Sequence, residues 1–496
     1  MRTWTRRAAV ALAVSMAALL VPGMAVAVPP GPAAGSTALG PDFLWGVAAS
    51  GFQSEGHAPV SDVPDLGSLD AGSLDPRSPH RDSRENDAPD SNWVRYIDHH
   101  PEFDKYQSSI DFYDRYATDI DLAKSLGVKV FRIGIEWARL QPTSRLEWDA
   151  DGFRFYDKVI AKIVSSGMRP MLTLDHWVYP GWAYDGAFHG IHSDTPDTGW
   201  DNPEMVDAWL TNMRKVVDRY SARNPLWVTI NEPVAYIMHE VRNNATNQQR
   251  MEDKVADAHN QIYDYIHKKR PDAQVTSNIG YVAGIDDQVN GPLFAKIRNR
   301  LDYVGVDYYF AFEPPSSSPP ATVRSIAAVG APGMWNLPIR TEGIYYAVKR
   351  YSDMFPQEPG KPRMPIYVVE NGMPTENATS DDSNAPGTGM YNRSDHLRDT
   401  VYWLQRAKAD GVNLIGYNYW SITDNYEWGS YSPRFGLYTV NVRDDPKLER
   451  HATKAVATYT ETIAAGGVPD DYRPTRPPSG CLIVDPTPGC ADLVVP

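Results

Sequence analysis

Cysteine is nearly absent from this chain. Its 496 residues hold two, Cys481 and Cys490, both close to the C-terminal end. That excludes a disulfide-built scaffold and any site that needs a set of thiolate ligands. In an exported chain two thiols so placed are expected to bridge, closing a short loop; the alternative is a pair of reduced thiols in the tail. Neither arrangement is catalytic, because no histidine lies near them. No His-Glu-x-x-His run occurs either, so no metal centre is expected. No Gly-x-Ser-x-Gly turn offers a serine nucleophile. No Gly-rich phosphate turn follows the first apolar run, which argues against an open dinucleotide-binding sheet. Beyond the N-terminal segment, no stretch is long and apolar enough to span a membrane. Positive charge is also in short supply: 48 Lys and Arg stand against 62 Asp and Glu, for a net charge of −14. That balance disfavours nucleic acid and anionic membrane surfaces as partners.

What is present begins with an address. Arg2, Arg6 and Arg7 form a basic start, Ala8 to Leu20 is an apolar run, and Ala25-Val26-Ala27 offers a cleavage site. This is the order of a signal peptide, so residues 1–27 are expected to be removed and the mature protein to start near Val28, secreted to the periplasm or the medium. The paired arginines leave both general and twin-arginine export open. A Pro/Gly/Ala-rich linker at 28–40 precedes a body at 41–467, and a Pro-rich tail occupies 468–496. Two polar, turn-rich segments, Ser61 to Asp90 and Glu376 to Gly389, interrupt the body and read as long loops.

Within the body, short apolar runs rich in β-branched residues alternate with helical patterns. The runs are Phe43–Ala48, Val128–Ile135, Arg169–Leu174, Leu226–Ile230, Gln274–Ile279, Tyr303–Val306, Ile366–Val369 and Leu414–Tyr417. Strand–helix alternation implies a parallel sheet. Eight such units predict a closed (β/α)8 TIM barrel with long loops at the C-terminal face of its strands, where functional residues of such barrels sit. The chain places its polar and aromatic residues after those runs: Gln53 and Glu55, Arg132 and Glu136-Trp137, Asp175-His176-Trp177, Asn231-Glu232, Asp307-Tyr308-Tyr309, Glu370-Asn371, and Trp420 onward to Trp428.

Of the glutamates among these, Glu232 and Glu370 end the fourth and seventh runs. Runs three apart in an eight-membered ring bring Glu232 and Glu370 to one mouth. A pair of carboxyls so placed is what glycosidic-bond cleavage requires: one protonates the departing oxygen, the other attacks carbon or activates water. Sequence leaves retention and inversion both open, because the separation of the carboxyls decides between them. Arg132 on the same rim favours an ionised carboxylate beside it, and an ionised Glu370 would keep Glu232 protonated. Tyr309 is placed to hold Glu370 through its hydroxyl, and Asn231 to bind a sugar hydroxyl. The 14 Trp and 28 Tyr are expected to serve core packing first, with sugar stacking the second reading; position decides between them.

These motifs resemble glycoside hydrolase family 1 over about Pro41 to Ala464. The matching segments are Phe43 to Gly56 (FLWGVAASGFQSEG), Phe131 to Pro142 (FRIGIEWARLQP), Thr173 to Trp177 (TLDHW), Thr229 to Pro233 (TINEP), Val368 to Gly372 (VVENG) and Gly416 to Trp428 (GYNYWSITDNYEW). Glu136-Trp137 and the long segment from Gly56 to Tyr113 are closer to the archaeal-type branch. The resemblance implies a barrel, retention of configuration and no cofactor, with Glu232 as acid/base and Glu370 as nucleophile. It further implies that Gln53, His176, Asn231, Glu427 and Trp428 hold the sugar, with Trp420 as its stacking platform and Trp335 as a candidate platform for the aglycone. A carboxylate at Glu427 would bind the 4- and 6-hydroxyls and repel a 6-phosphate. Asp307 stands where the family usually has Asn, and Val178-Tyr179 replaces its usual Asp-Leu. The activity implied is hydrolysis of small-molecule β-glycosides, β-glucosides first. The alternatives are a transglycosidase, a specialist for a natural-product glycoside, and a carbohydrate-binding protein without turnover. Nothing in the pattern sets an oligomeric state.

Overall fold

The computed structural model describes residues 38–58, 87–188, 198–283, 285–310, 339–357, 359–375 and 391–476. The proposed signal segment, Trp335, Cys481 and Cys490 lie outside these residues, as do most of the two polar loops.

Each apolar run forms a strand: β1 (Leu44–Ala48), β2 (Val130–Gly134), β3 (Arg169–Asp175), β4 (Leu226–Ile230), β5 (Gln274–Thr276), β6 (Ile279–Gly280), β7 (Val304–Asp307), β8 (Ile366–Asn371) and β9 (Leu414–Trp420). All pair in parallel, in the order β5-β4-β3-β2-β1-β9-β8-β7-β6. The two ends of that order, β5 and β6, are consecutive in the chain and separated only by Ser277 and Asn278. They are halves of one strand, so the sheet closes on itself as an eight-membered barrel. The run Gln274–Ile279 was expected as one strand; it is broken because Ser277 Oγ donates to the carbonyl of Ile230 at 2.7 Å while Asn278 turns its amide to other side chains of the barrel.

The helices cover the outside of the barrel for the usual reason, an apolar stripe at helical spacing. In Ala150–Ser165 the buried residues Phe153, Tyr156, Val159, Ile160 and Ile163 face the sheet, and Asp149 caps the first turn by accepting from the Asp151 amide at 2.7 Å. The helical patterns that precede the second and the last apolar run form helices Phe112–Ser125 and Arg393–Ala409. Inside the ring, Val130, Met171, Leu226, Val228, Tyr303, Tyr367 and Val369 form a separate buried plug. The interior is thus filled below the site, and the open end is the one to which the C-terminal ends of the strands lead. Near the N-terminal end of the described chain, Leu39 is buried, and its amide donates to the carbonyl of Gly466 at 2.8 Å.

Candidate active site

Glu232 follows β4 and is the N-cap of helix Pro233–Asn243, with left-handed backbone (φ 36°, ψ 60°). That conformation is strained for a residue with a β-carbon. Pro233 fixes the first helical position immediately after it. The turn brings the Glu232 side chain against Gly280 on β6, the second half of the strand next to β4. A β-carbon added to Gly280 would lie 2.5 Å from Glu232 Oε1, so only glycine leaves room for this carboxyl. Gly280→Ala is therefore expected to fold but to lose about tenfold to a hundredfold in kcat/KM, because the Glu232 carboxyl is moved by a fraction of an ångström to an ångström. Steady-state kinetics beside a circular dichroism spectrum would check this; wild-type kinetics would contradict it.

Glu370 ends β8 and is buried. Arg132, fully buried on β2, donates to its Oε1, and the Tyr309 hydroxyl donates to its Oε2 at 2.8 Å. The same guanidinium donates through Nη2 to Asn231 Oδ1 at 2.6 Å and through Nε to Thr173 Oγ1 at 2.9 Å. Asn231 Oδ1 also accepts from Asn278 Nδ2 at 2.6 Å. With its oxygen thus occupied twice, the amide nitrogen of Asn231 is turned toward His176 Nε2, 3.2 Å away. Asn278 was not singled out in the sequence. It sits in a run that also carries Gln274, Thr276 and Ser277, so its polarity set it apart from none of its neighbours.

The electrostatics separate the two glutamates. Burial, and next the charge of Glu370, push the Glu232 carboxyl up to about 8, against the opposing pull of Arg132. Burial and the charge of Arg132 hold His176 well below the ordinary imidazole value, so it is neutral near pH 7. Burial and the charge of Glu370 keep the Tyr309 hydroxyl protonated, and so able to donate. Asp307 lies directly across the β7–β8 register from Glu370, and Asn278 donates to its Oδ2. Burial, then Glu370 and Glu232, raise it well above the ordinary carboxylate value. Among the described contacts its hydrogen-bond partner is Asn278, and the donors of Arg132 go to Glu370, Asn231 and Thr173.

A second group of residues meets on the same rim. The Trp420 indole N–H donates to Glu427 Oε1 at 2.9 Å, and Gln53 Nε2 donates to Glu427 Oε2 at 3.2 Å. Ser50 fixes the Gln53 amide by donating to its oxygen at 2.8 Å. Burial pushes the Glu427 carboxyl up to about 8; the hydrogen bonds from Trp420 and Asn425 oppose that shift, and the charge of Glu370 adds to it. The repulsion of a 6-phosphate expected from an ionised Glu427 is therefore weakened near neutral pH, where a buried acid with this value is largely protonated. The rings of Trp420 and Trp428 lie 6.0 and 5.8 Å from that of His176. Behind them Trp428 packs on Trp93 at 4.3 Å and on Trp177 at 5.0 Å, and Trp93 stacks on His239 at 4.3 Å. Trp177 and Trp428 both hold left-handed backbone. Of the candidate residues, the structure thus joins Glu370, Arg132, Asn231, Tyr309 and His176 in one hydrogen-bonded set. It joins Gln53, Trp420 and Glu427 in a second, linked to the first through His176 and the charge of Glu370.

The sequence model of glycosyl hydrolase family 1 matches residues 36–282 and 284–468. Beta-glucosidase A of Thermotoga maritima is 25% identical over 486 residues, covering 86% of this chain and 98% of that protein. The galactolipid galactosyltransferase SFR2 of Arabidopsis thaliana is 26% identical over 401 residues, covering 73% of this chain and 59% of that protein. A structure of the Thermotoga maritima beta-glucosidase in complex with galacto-hydroximolactam superposes with a TM-score of 0.66 at 21% identity, covering 88% of this chain and all of the other. That likeness establishes the fold.

Proposed function

Because the chain belongs to glycosyl hydrolase family 1 and is a glycoside hydrolase, we propose that it is a retaining exo-β-glycosidase with terminal β-D-glucosides as preferred substrates. One observation carries the reading. A carboxylate held by Arg132 and Tyr309 acts electrostatically on a second carboxyl pushed up to about 8, and the two end strands that face one mouth. In this reading Glu370 attacks the anomeric carbon while protonated Glu232 gives its proton to the departing glycosidic oxygen. Once Glu370 is esterified, its negative charge is gone and the chief electrostatic support for the high Glu232 value disappears. Glu232 then ionises readily and takes a proton from the water that hydrolyses the ester. Arg132 and Tyr309 stabilise Glu370 as a carboxylate before attack and as a leaving group afterwards.

Gln53, Glu427 and Trp420 supply the sugar contacts. Glu427 accepts from Trp420 on Oε1 and from Gln53 on Oε2, with Asn425 as a further partner, and its remaining acceptor capacity is offered to a substrate hydroxyl. Asn231 offers its amide nitrogen, and neutral His176 a ring nitrogen, to neighbouring hydroxyls. The binding-only alternative falls with the glycoside hydrolase assignment. Transfer to an acceptor other than water keeps one supporting observation, since a plant relative is named a galactosyltransferase.

Hydrolysis of a panel of aryl β-D-glucosides, β-D-galactosides and β-D-fucosides, followed by NMR of the first-formed anomer, tests the reading. We expect the β-anomer first and the glucoside to have the highest kcat/KM. Appearance of the α-anomer first would overturn retention. A tenfold preference for another sugar would overturn the substrate assignment. Aglycone released in excess of free sugar when an alcohol is added would identify transfer.

A further inference from the structure

The match to the family ends at residue 468, yet the chain that follows is tied to the catalytic end of the barrel. Val468 and the Gln405 side chain exchange two hydrogen bonds, at 2.6 and 3.1 Å. The following residues run along helix Arg393–Ala409 to Asp399, which is fully buried. Its carboxylate accepts four hydrogen bonds: from the Tyr472 hydroxyl at 2.6 Å, the Thr475 amide at 2.8 Å, the Arg476 amide at 3.1 Å and the Tyr391 hydroxyl at 2.9 Å. Three of the four come from the tail. Without it, a buried carboxylate would keep a single one of these partners, which is costly for a desolvated charge.

Arg476 then reaches beyond the helix. Its guanidinium carbon lies 4.7 Å above the centre of the Tyr391 ring, and its Nη1 donates to the carbonyl of Ile339 at 2.8 Å. Tyr391 and Ile339 are half of one small buried apolar cluster; Phe310 and Met373 complete it, and Tyr309 packs against it. Tyr309 is the residue whose hydroxyl donates to Glu370 Oε2. A continuous set of contacts therefore leads from Arg476, through Tyr391 and Ile339, to the ring that holds Glu370. The cluster joins residues far apart in sequence, and the arginine is a cross-piece between two of them.

We propose that residues 469–476 form a strap that positions Tyr309, with Arg476 as its outer tie and Asp399 as its anchor. The proposal rests on the reading of Glu370 as nucleophile. Arg476 and Asp399 are positioning residues: they touch neither substrate nor reacting atoms. Loosening the strap lets the wall behind Tyr309 relax, so the hydroxyl no longer fixes the attacking oxygen.

The test is a double-mutant cycle in the full-length protein with Arg476→Ala and Tyr309→Phe, read as kcat and KM on an aryl β-glucoside. Arg476 is only half-buried, so its truncation leaves the core intact; Tyr472→Phe is a milder second variant that deletes one bond to Asp399. We expect Arg476→Ala to lower kcat by about threefold to tenfold with little change in KM. In the Tyr309→Phe background the same substitution should have no further effect, because coupled residues are not additive. A purely structural tail would lower the melting temperature while leaving kcat unchanged. Unchanged kcat in both Arg476→Ala and Tyr472→Phe, or losses that multiply independently in the double variant, would overturn the strap. If Tyr309→Phe alone leaves kcat at the wild-type value, the assigned hold on the nucleophile fails, and the strap with it. That result is distinct from a loss in Tyr309→Phe that Arg476→Ala does not share.

Discussion

Glu370→Gly is expected to abolish turnover, a loss of roughly 10⁴-fold or more in kcat, the scale seen when a group that forms the covalent bond is removed. The substitution leaves an opening beside Arg132, whose guanidinium has lost its carboxylate partner. A small anion would be drawn into that opening by the buried, uncompensated charge. Azide should therefore restore activity in a concentration-dependent way on a substrate with a good leaving group. Because azide attacks from the side where Glu370 stood, and no second displacement follows, the product should be the α-glycosyl azide. Product NMR decides the matter. A β-azide from this variant, or turnover within tenfold of wild type, would remove Glu370 from the nucleophile's role.

The second large effect is expected at Glu232 and depends on the leaving group. General acid assistance is worth about 10² to 10⁴-fold, and only substrates whose aglycone leaves poorly need it. Glu232→Ala should thus cost a full share of that factor on alkyl or unactivated phenyl β-glucosides. The glycosylation step with a dinitrophenyl glucoside should change little. Equal losses on both classes would contradict the acid role. The pH profile carries the same information. In the wild type Glu232 must be protonated to act, and its carboxyl is raised to about 8, by burial first and by Glu370 second. Hence kcat/KM should hold on the acid side of 8 and fall as pH rises through it, since deprotonation removes the proton donor. In Glu232→Ala that alkaline fall should vanish for the activated substrate. Its persistence would point to another group.

Much of the fold was legible because barrel strands advertise themselves: eight short apolar runs, each followed by polar and aromatic residues, have few other solutions. The fifth run shows the limit. Gln274 to Ile279 reads as continuous, and its break at Ser277 and Asn278 follows from side chains that bond across the barrel, contacts that no local pattern records. Arg132 illustrates a different gap. Its place on the rim followed from strand order, but its simultaneous grip on Glu370, Asn231 and Thr173 belongs to three other strands. Glu427 was assigned an ionised role from its position. Its burial alters that, and burial at the end of a loop is not written in neighbouring residues. The left-handed backbone at Glu232, Trp177 and Trp428 was likewise invisible, since none of these residues is a glycine that would have signalled it.

The indoles behind the sugar contacts have an optical consequence. Trp93, Trp428 and Trp177 follow one another with ring centres 4.3 and 5.0 Å apart, close enough for their excited states to mix rather than absorb separately. Such a row should give a split, signed band in near-ultraviolet dichroism. Because its middle member lies 5.8 Å from the ring of His176, a residue of the proposed sugar site, binding of a sugar there should change this intrinsic, label-free signal, readable in an inactive variant where no turnover can report occupancy.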